Sequence, residues 1–156
     1  LSNIVAIPAV YLFAYAGQQW KTAEKVREIC TTFYTDQPDG LCGNEDCGQM
    51  SAWYVLSSMG FYPVNPANGA YVFGSPLFNS AEIALTDGKS FKIIAENNSK
   101  ENLYIQSATL NGKPYTKSFI THKEIMNGGE LVLKMGNTPN PEFGADMEDR
   151  PKSIVY

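Results

Sequence analysis

Histidine is almost missing from this 156-residue chain, in which His122 stands alone. Cysteine is scarce and odd in number, with Cys30, Cys42 and Cys47, so the three thiols cannot all pair within one chain. A Cys42–Cys47 bridge would close a small loop through Gly43. The Cys-x4-Cys spacing with one distant histidine falls short of the four ligands a structural zinc usually takes, and buried free thiols are the simpler reading. Positive charge is in deficit: 12 Lys and Arg face 16 Asp and Glu, a formal net charge of -4. An acidic chain without a basic stripe argues against nucleic acid and anionic membrane as partners. No apolar run approaches the ~20 residues that span a bilayer, so membrane insertion is not expected. The opening Leu1–Pro8 has no basic region, and Pro8 interrupts its apolar stretch, unlike a secretory signal. Helix-like sequence begins almost at once, and the chain is expected to be cut from something longer. Internal repeats and low-complexity segments are absent as well. What is present is 44% hydrophobic, with 13 Gly and 9 Pro. That suits one folded domain or two small ones and excludes a disordered tail, a collagen and a coiled coil.

The pattern changes character near residue 64. Before it, apolar spacing predicts a helix from Pro8 to Ala16, with Gly17 at its C-terminus. A second runs from Ala23 to about Phe33, with Val26, Ile29, Cys30 and Phe33 on one stripe and Thr22 as N-cap. A third runs from about Cys47 to Met59 and stops at Gly60, with Pro63 just beyond. From Tyr71 onward the period is two. Strands are expected over Ala70–Phe73, Glu82–Leu85, Ser90–Glu96, Leu103–Leu110, Lys117–Ile120 and Glu130–Met135. Asp87-Gly88, Asn97-Asn98, Asn111-Gly112 and Asn127-Gly128-Gly129 supply the turns, Asn111-Gly112 being the strongest hairpin signal. The proline-containing stretch from Asn137 to Tyr156 reads as irregular. Helices first and an antiparallel sheet afterwards give an α+β class, with a helical segment over 1–64 and an antiparallel β region over 65–156.

Chemistry concentrates in Gly43-Asn44-Glu45-Asp46-Cys47-Gly48-Gln49-Met50, a glycine-rich loop that runs straight into the third helix. Two adjacent carboxylates, an amide and nearby aromatic rings are the equipment of a sugar site: carboxylates accept hydroxyl hydrogen bonds or activate water, and rings pack on pyranose faces. A plainer reading competes. Asp46-x-x-Gln49 has the form of a capping box, Asn44 is an alternative cap, and negative charge at a helix N-terminus is stabilising by about 0.3–1 kcal/mol. The residues alone leave both readings open.

The block Gly43–Tyr54, followed by Gly60-Phe61-Tyr62-Pro63 and Tyr71-Val72-Phe73-Gly74-Ser75-Pro76-Leu77-Phe78, resembles the C-terminal part of the family 92 glycoside hydrolases. Tyr15–Thr22 and Lys25–Ile29 fit the family's run before that block, and the resemblance extends from about Tyr11 to Glu148-Asp149-Arg150-Pro151. These are calcium-dependent exo-acting α-mannosidases, many of them α-1,2-mannosidases. The resemblance implies that the helices end an (α/α)6 barrel, which in the family meets an N-terminal β-sandwich at the active site. It implies hydrolysis of terminal α-linked mannose with inversion. There, one carboxylic acid protonates the leaving oxygen and a carboxylate about 6.5–9.5 Å away activates water. Asp46 is the implied general base, Glu45 the assisting carboxylate, and Asn44 a sugar contact. The family's acid and its Ca2+ ligands lie upstream, outside this chain, which alone should be inactive. No EF-hand loop or other calcium cluster is recognisable in it. The partners implied are mannose-containing glycans, and the location implied is periplasmic or extracellular, in a bacterial enzyme.

Two alternatives give the β-rich half a role without catalysis. It could be a carbohydrate-binding module using strand aromatics such as Tyr104 or Tyr115, or a structural cap on the helical barrel. Helices taken from a barrel would expose apolar faces, so a homodimer of the isolated chain is expected. Trp20 and Trp53 read as core, and His122 as a solvated side chain at a strand end.

Overall fold

A computed structural model describes residues 6–153 of the chain. Four helices come first: α1 (Ala6–Ala9), α2 (Leu12–Tyr15), α3 (Gln19–Thr32) and α4 (Gln49–Met59). The single helix expected over Pro8–Ala16 is thus broken into two short pieces. Thr22 lies inside α3 rather than capping it, and its hydroxyl donates to the carbonyl of Val10, 3.2 Å away, so it fastens α3 to the segment before it. Val26, Ile29 and Cys30 form the buried stripe of α3, as their spacing predicts.

The strands follow as β1 (Phe61–Tyr62), β2 (Ala70–Phe73), β3 (Ser80–Ala84), β4 (Ser90–Glu96), β5 (Tyr104–Leu110), β6 (Lys113–Tyr115) and β7 (Phe119–Thr121), then helix α5 (His122–Met126) and β8 (Gly129–Gly136). They form a three-stranded sheet, β1-β2-β7, and a five-stranded sheet, β3-β4-β8-β5-β6. The class is α+β. Asn111 and Gly112, both at positive φ (52° and 76°), turn β5 into β6. Two successive positive φ values are what a two-residue hairpin matching the strand twist requires. One ladder is not antiparallel: β8 enters between β4 and β5 and pairs with β4 in parallel, Ile93 opposite Leu131. Alternation within a strand reports which face is buried and carries no information on the direction of its neighbour, so the residues could not show this. The stretch after Asn137 is irregular apart from one 3-10 turn at Met147–Asp149, and its last three residues lie outside those described.

Two apolar clusters hold the molecule. Alternate residues of β4 (Phe91, Ile93, Ala95) and β8 (Leu131, Leu133, Met135) meet Phe61, Phe73 and Ile120 of the smaller sheet in one core between the sheets. Tyr11, Val26, Ile29, Tyr34, Met50, Trp53 and Val72 form the second, under the helices. Arg27 of α3 links helices to strands: its guanidinium donates to Ser75 Oγ, the Pro76 carbonyl, Asn98 Oδ1 and the Ser99 carbonyl.

Candidate active site

The loop between α3 and α4 rests on an aromatic block. Tyr34 is buried just beyond the end of α3 and pairs with Leu41 across an isolated antiparallel bridge. Its ring stacks on Tyr54 at 4.6 Å and on Trp53 at 5.9 Å, and its hydroxyl donates to the Met50 carbonyl at 3.1 Å. Burial first, then the proximity of Cys42, Cys30 and Glu45, pushes the Tyr34 hydroxyl well above its ordinary pKa. Trp53 is core, as its sequence context suggests, and Tyr11 meets it edge-on while its own hydroxyl is bonded to Ser57 Oγ at 2.8 Å. This block fixes the first turns of α4, and with them the carboxylates just ahead.

The capping box expected between Asp46 and Gln49 does not form. The residue preceding α4 is Gly48, in the left-handed region at φ 92°, and no side chain of its own caps the helix. The N–H groups of the first turn, which a helix cannot satisfy internally, find acceptors ahead of it. Gln49 N–H donates to the Asp46 carbonyl, Met50 N–H to the Glu45 carbonyl and Ser51 N–H to Glu45 Oε1 at 3.1 Å, and the regular helical ladder begins with Ala52 N–H to the Gly48 carbonyl. Ser51 Oγ adds a bond to Glu45 Oε2 at 3.0 Å. Glu45, half-buried, is therefore the capping carboxylate, where the helix dipole also favours its charge. A six-residue reach to Ser51 follows no local capping rule, so Ser51 escaped the sequence reading.

Displaced from the cap, Asp46 sits exposed at φ 51°, followed by exposed Cys47 at φ 59°. Among the described residues no hydrogen bond or ion pair engages the Asp46 carboxylate. Asn44 is exposed beside them. Asn44 and Asp46 thus face solvent on either side of half-buried Glu45, and a cleft of about 500 Å³ is walled by Tyr34, Asp36, Ser51, Tyr54 and Val55, of which Ser51 is the partner of Glu45. Only Cys30 fits the buried-thiol reading: Cys42 is half-buried, Cys47 is exposed, and all three are free.

The described residues include no group of three or more His, Cys, Asp or Glu side chains placed to hold a metal ion. Tyr115 is half-buried with its hydroxyl donating to the Phe119 carbonyl at 3.0 Å, and Tyr104 is half-buried near Glu24 of α3. His122 is exposed at the start of α5, 3.4 Å from the Tyr71 hydroxyl.

The model of the glycosyl hydrolase family 92 catalytic domain matches residues 1–137. A protein of the fungus Arthroderma benhamiae described as an uncharacterized secreted glycosidase is 34% identical over 99% of this chain and 20% of its own length. The family 92 inverting mannosidase BT2199 of Bacteroides thetaiotaomicron is similar at 44% identity and a TM-score of 0.89, over 94% of this chain and 20% of its own. The α-mannosidase BT3965 of the same organism, solved with mannoimidazole, is similar at 38% identity and a TM-score of 0.92, over 98% of this chain and 20% of its own. The chain thus spans about one fifth of the length of the relatives it matches.

Proposed function

Because the chain belongs to glycosyl hydrolase family 92, we propose that it is the C-terminal piece of an inverting exo-acting α-mannosidase, with Asp46 as general base. Residues 1–64 would then end a helical barrel and residues 65–156 form the β region packed on it. The observation that carries this reading is the division of labour between the two carboxylates. Glu45 caps α4, and Asp46 is left exposed and unengaged on a turn at positive φ.

In the proposed reaction Asp46 takes a proton from a water as that water attacks the anomeric carbon, on the face opposite the departing oxygen. A carboxylic acid from elsewhere in the longer protein protonates that oxygen, and the two groups lie about 6.5–9.5 Å apart so that water fits between them. Asn44 offers an amide donor and acceptor to a sugar hydroxyl, and Glu45 supports the base. The substrates are mannose-containing glycans. Calcium belongs to the whole enzyme, on ligands outside this chain. The description of the fungal relative as secreted supports a periplasmic or extracellular location, and no helix among the described residues is long and apolar enough to cross a membrane.

The test uses the full-length enzyme on an α-linked mannobiose, with proton NMR following the anomer first released. β-Mannose is expected, lost on chelation of calcium and reduced by about 10²–10⁴-fold in Asp46→Asn, the usual contribution of a general base. The 156-residue chain by itself is expected to release none. Near-normal turnover by Asp46→Asn would move the base elsewhere, and α-mannose as first product would rule out inversion.

A further inference from the structure

We propose that Glu45 is a positioning residue, whose carboxylate grips Ser51 of α4 and so holds the 46–48 turn that presents Asp46. This rests on the reading of Asp46 as base. Both oxygens of the carboxylate are committed to one residue, Oε1 to Ser51 N–H at 3.1 Å and Oε2 to Ser51 Oγ at 3.0 Å. The main-chain carbonyl of Glu45 meanwhile takes Met50 N–H at 3.2 Å. One residue thereby spans the whole turn with three hydrogen bonds.

What they span is unusual backbone. Asp46, Cys47 and Gly48 stand in succession at φ 51°, 59° and 92°. Side-chain-bearing residues rarely occupy that region, and they persist there when the surroundings over-determine them. Packing supplies little of that restraint: Asp46, Cys47 and Gly48 are all exposed, and no atom lies within 4 Å of where a Cβ on Gly48 would sit. The Glu45–Ser51 grip and the first turn of α4 do the holding. Without it the turn can relax towards ordinary dihedrals, which carries Asp46 away from where a water must be held.

The chemistry of the grip makes it separable from a direct role in the reaction. Glutamine at position 45 can accept from Ser51 N–H through its carbonyl and donate to Ser51 Oγ through its amide. It keeps the grip and loses the charge, whereas alanine loses both. In the full-length enzyme, Glu45→Ala is expected to lower kcat by about 100-fold, the scale of a misplacement near 1 Å. KM should stay within about threefold, because ground-state sugar contacts are untouched. Glu45→Gln should recover at least about tenfold of that loss, and Ser51→Ala, which retains the backbone donor, should fall between the two. If Glu45→Gln is as slow as Glu45→Ala, the charge acts on the reaction directly and the proposal is overturned. A raised KM at constant kcat overturns it too, by making Glu45 a sugar ligand. The grip is also read without turnover, by amide hydrogen exchange in an Asp46→Asn background. Glu45→Ala should speed exchange at Met50 and Ser51 while Glu45→Gln does not, and unchanged protection in Glu45→Ala would overturn the grip. Full activity in Asp46→Asn with exchange behaving as expected would sink the base assignment alone.

Discussion

At the scale of the residue, the clearest physical signature is a thiol. Cys30 is buried on α3, and burial pushes its pKa up to about 12, opposed in part by the nearby Arg27 guanidinium. The native state therefore keeps the proton while an unfolded chain releases it near the ordinary value of 9.0. The stability this group contributes is complete below pH 9.0 and drains away as pH rises from there towards about 12, at no more than about 1.4 kcal/mol per pH unit. Tyr11 and Tyr34, also raised by burial, add to the decline further up the scale. Denaturant midpoints at pH 8, 9 and 10 should fall more gently in Cys30→Ala than in the wild type, as an order-of-magnitude expectation from the same linkage. The cavity left by the substitution shifts the whole curve, so the slope is the reading that matters, and equal slopes would contradict the assignment.

At the scale of the element, α4 and α5 show two ways to start a helix. The short α5 uses a capping box: Thr121 Oγ1 accepts from Glu124 N–H at 3.2 Å, and Glu124 Oε2 accepts from Thr121 N–H at 2.8 Å. Thr121→Ala should cost about 1 kcal/mol in chemical denaturation and Thr121→Ser much less. No loss in the alanine variant would mean that β7 holds α5 unaided. In α4 the expected box is replaced by the reach of Glu45 to Ser51. The pattern Asp46-x-x-Gln49 is present in the sequence, but Gly48 at φ 92° shifts the start of α4 beyond the point where Asp46 could act as cap. A pattern of spacing assumes a helix boundary, and here the backbone put the boundary two residues later than the pattern implies.

At the scale of the whole molecule, the surface carries apolar side chains with nothing over them. Leu12 is 52% exposed, Val55 55%, Phe78 52% and Met147 75%. Leu12 and Met147 share a groove of about 800 Å³ with Tyr15, Val64 and Pro151, and Val55 lines the cleft shared with Tyr34, Ser51 and Tyr54. Exposed apolar patches favour association. The 156-residue chain made alone is expected to self-associate, with a sedimentation coefficient that rises with concentration, and a constant monomer value would count against that expectation. Full-length protein should not show the same dependence, because the remaining four-fifths of the relatives' length is available to cover these faces.

The α+β class, most strand positions, the Asn111-Gly112 hairpin and the buried stripe of α3 were legible from residues alone. Each follows from local chemistry, whether side-chain periodicity or the backbone freedom of a turn residue. The loop Gly43–Gly48 was legible as a candidate site by its composition, and the family 92 membership by its ordered blocks. Three features waited for the tertiary structure: the parallel pairing of β4 with β8, the neutral acceptors gathered around Arg27, and the capping of α4 by Glu45 in place of Asp46. All three depend on which distant or irregularly spaced groups the fold brings within hydrogen-bonding reach. No periodicity encodes that, because a hydrogen bond is decided by distance and direction in space and not by separation along the chain.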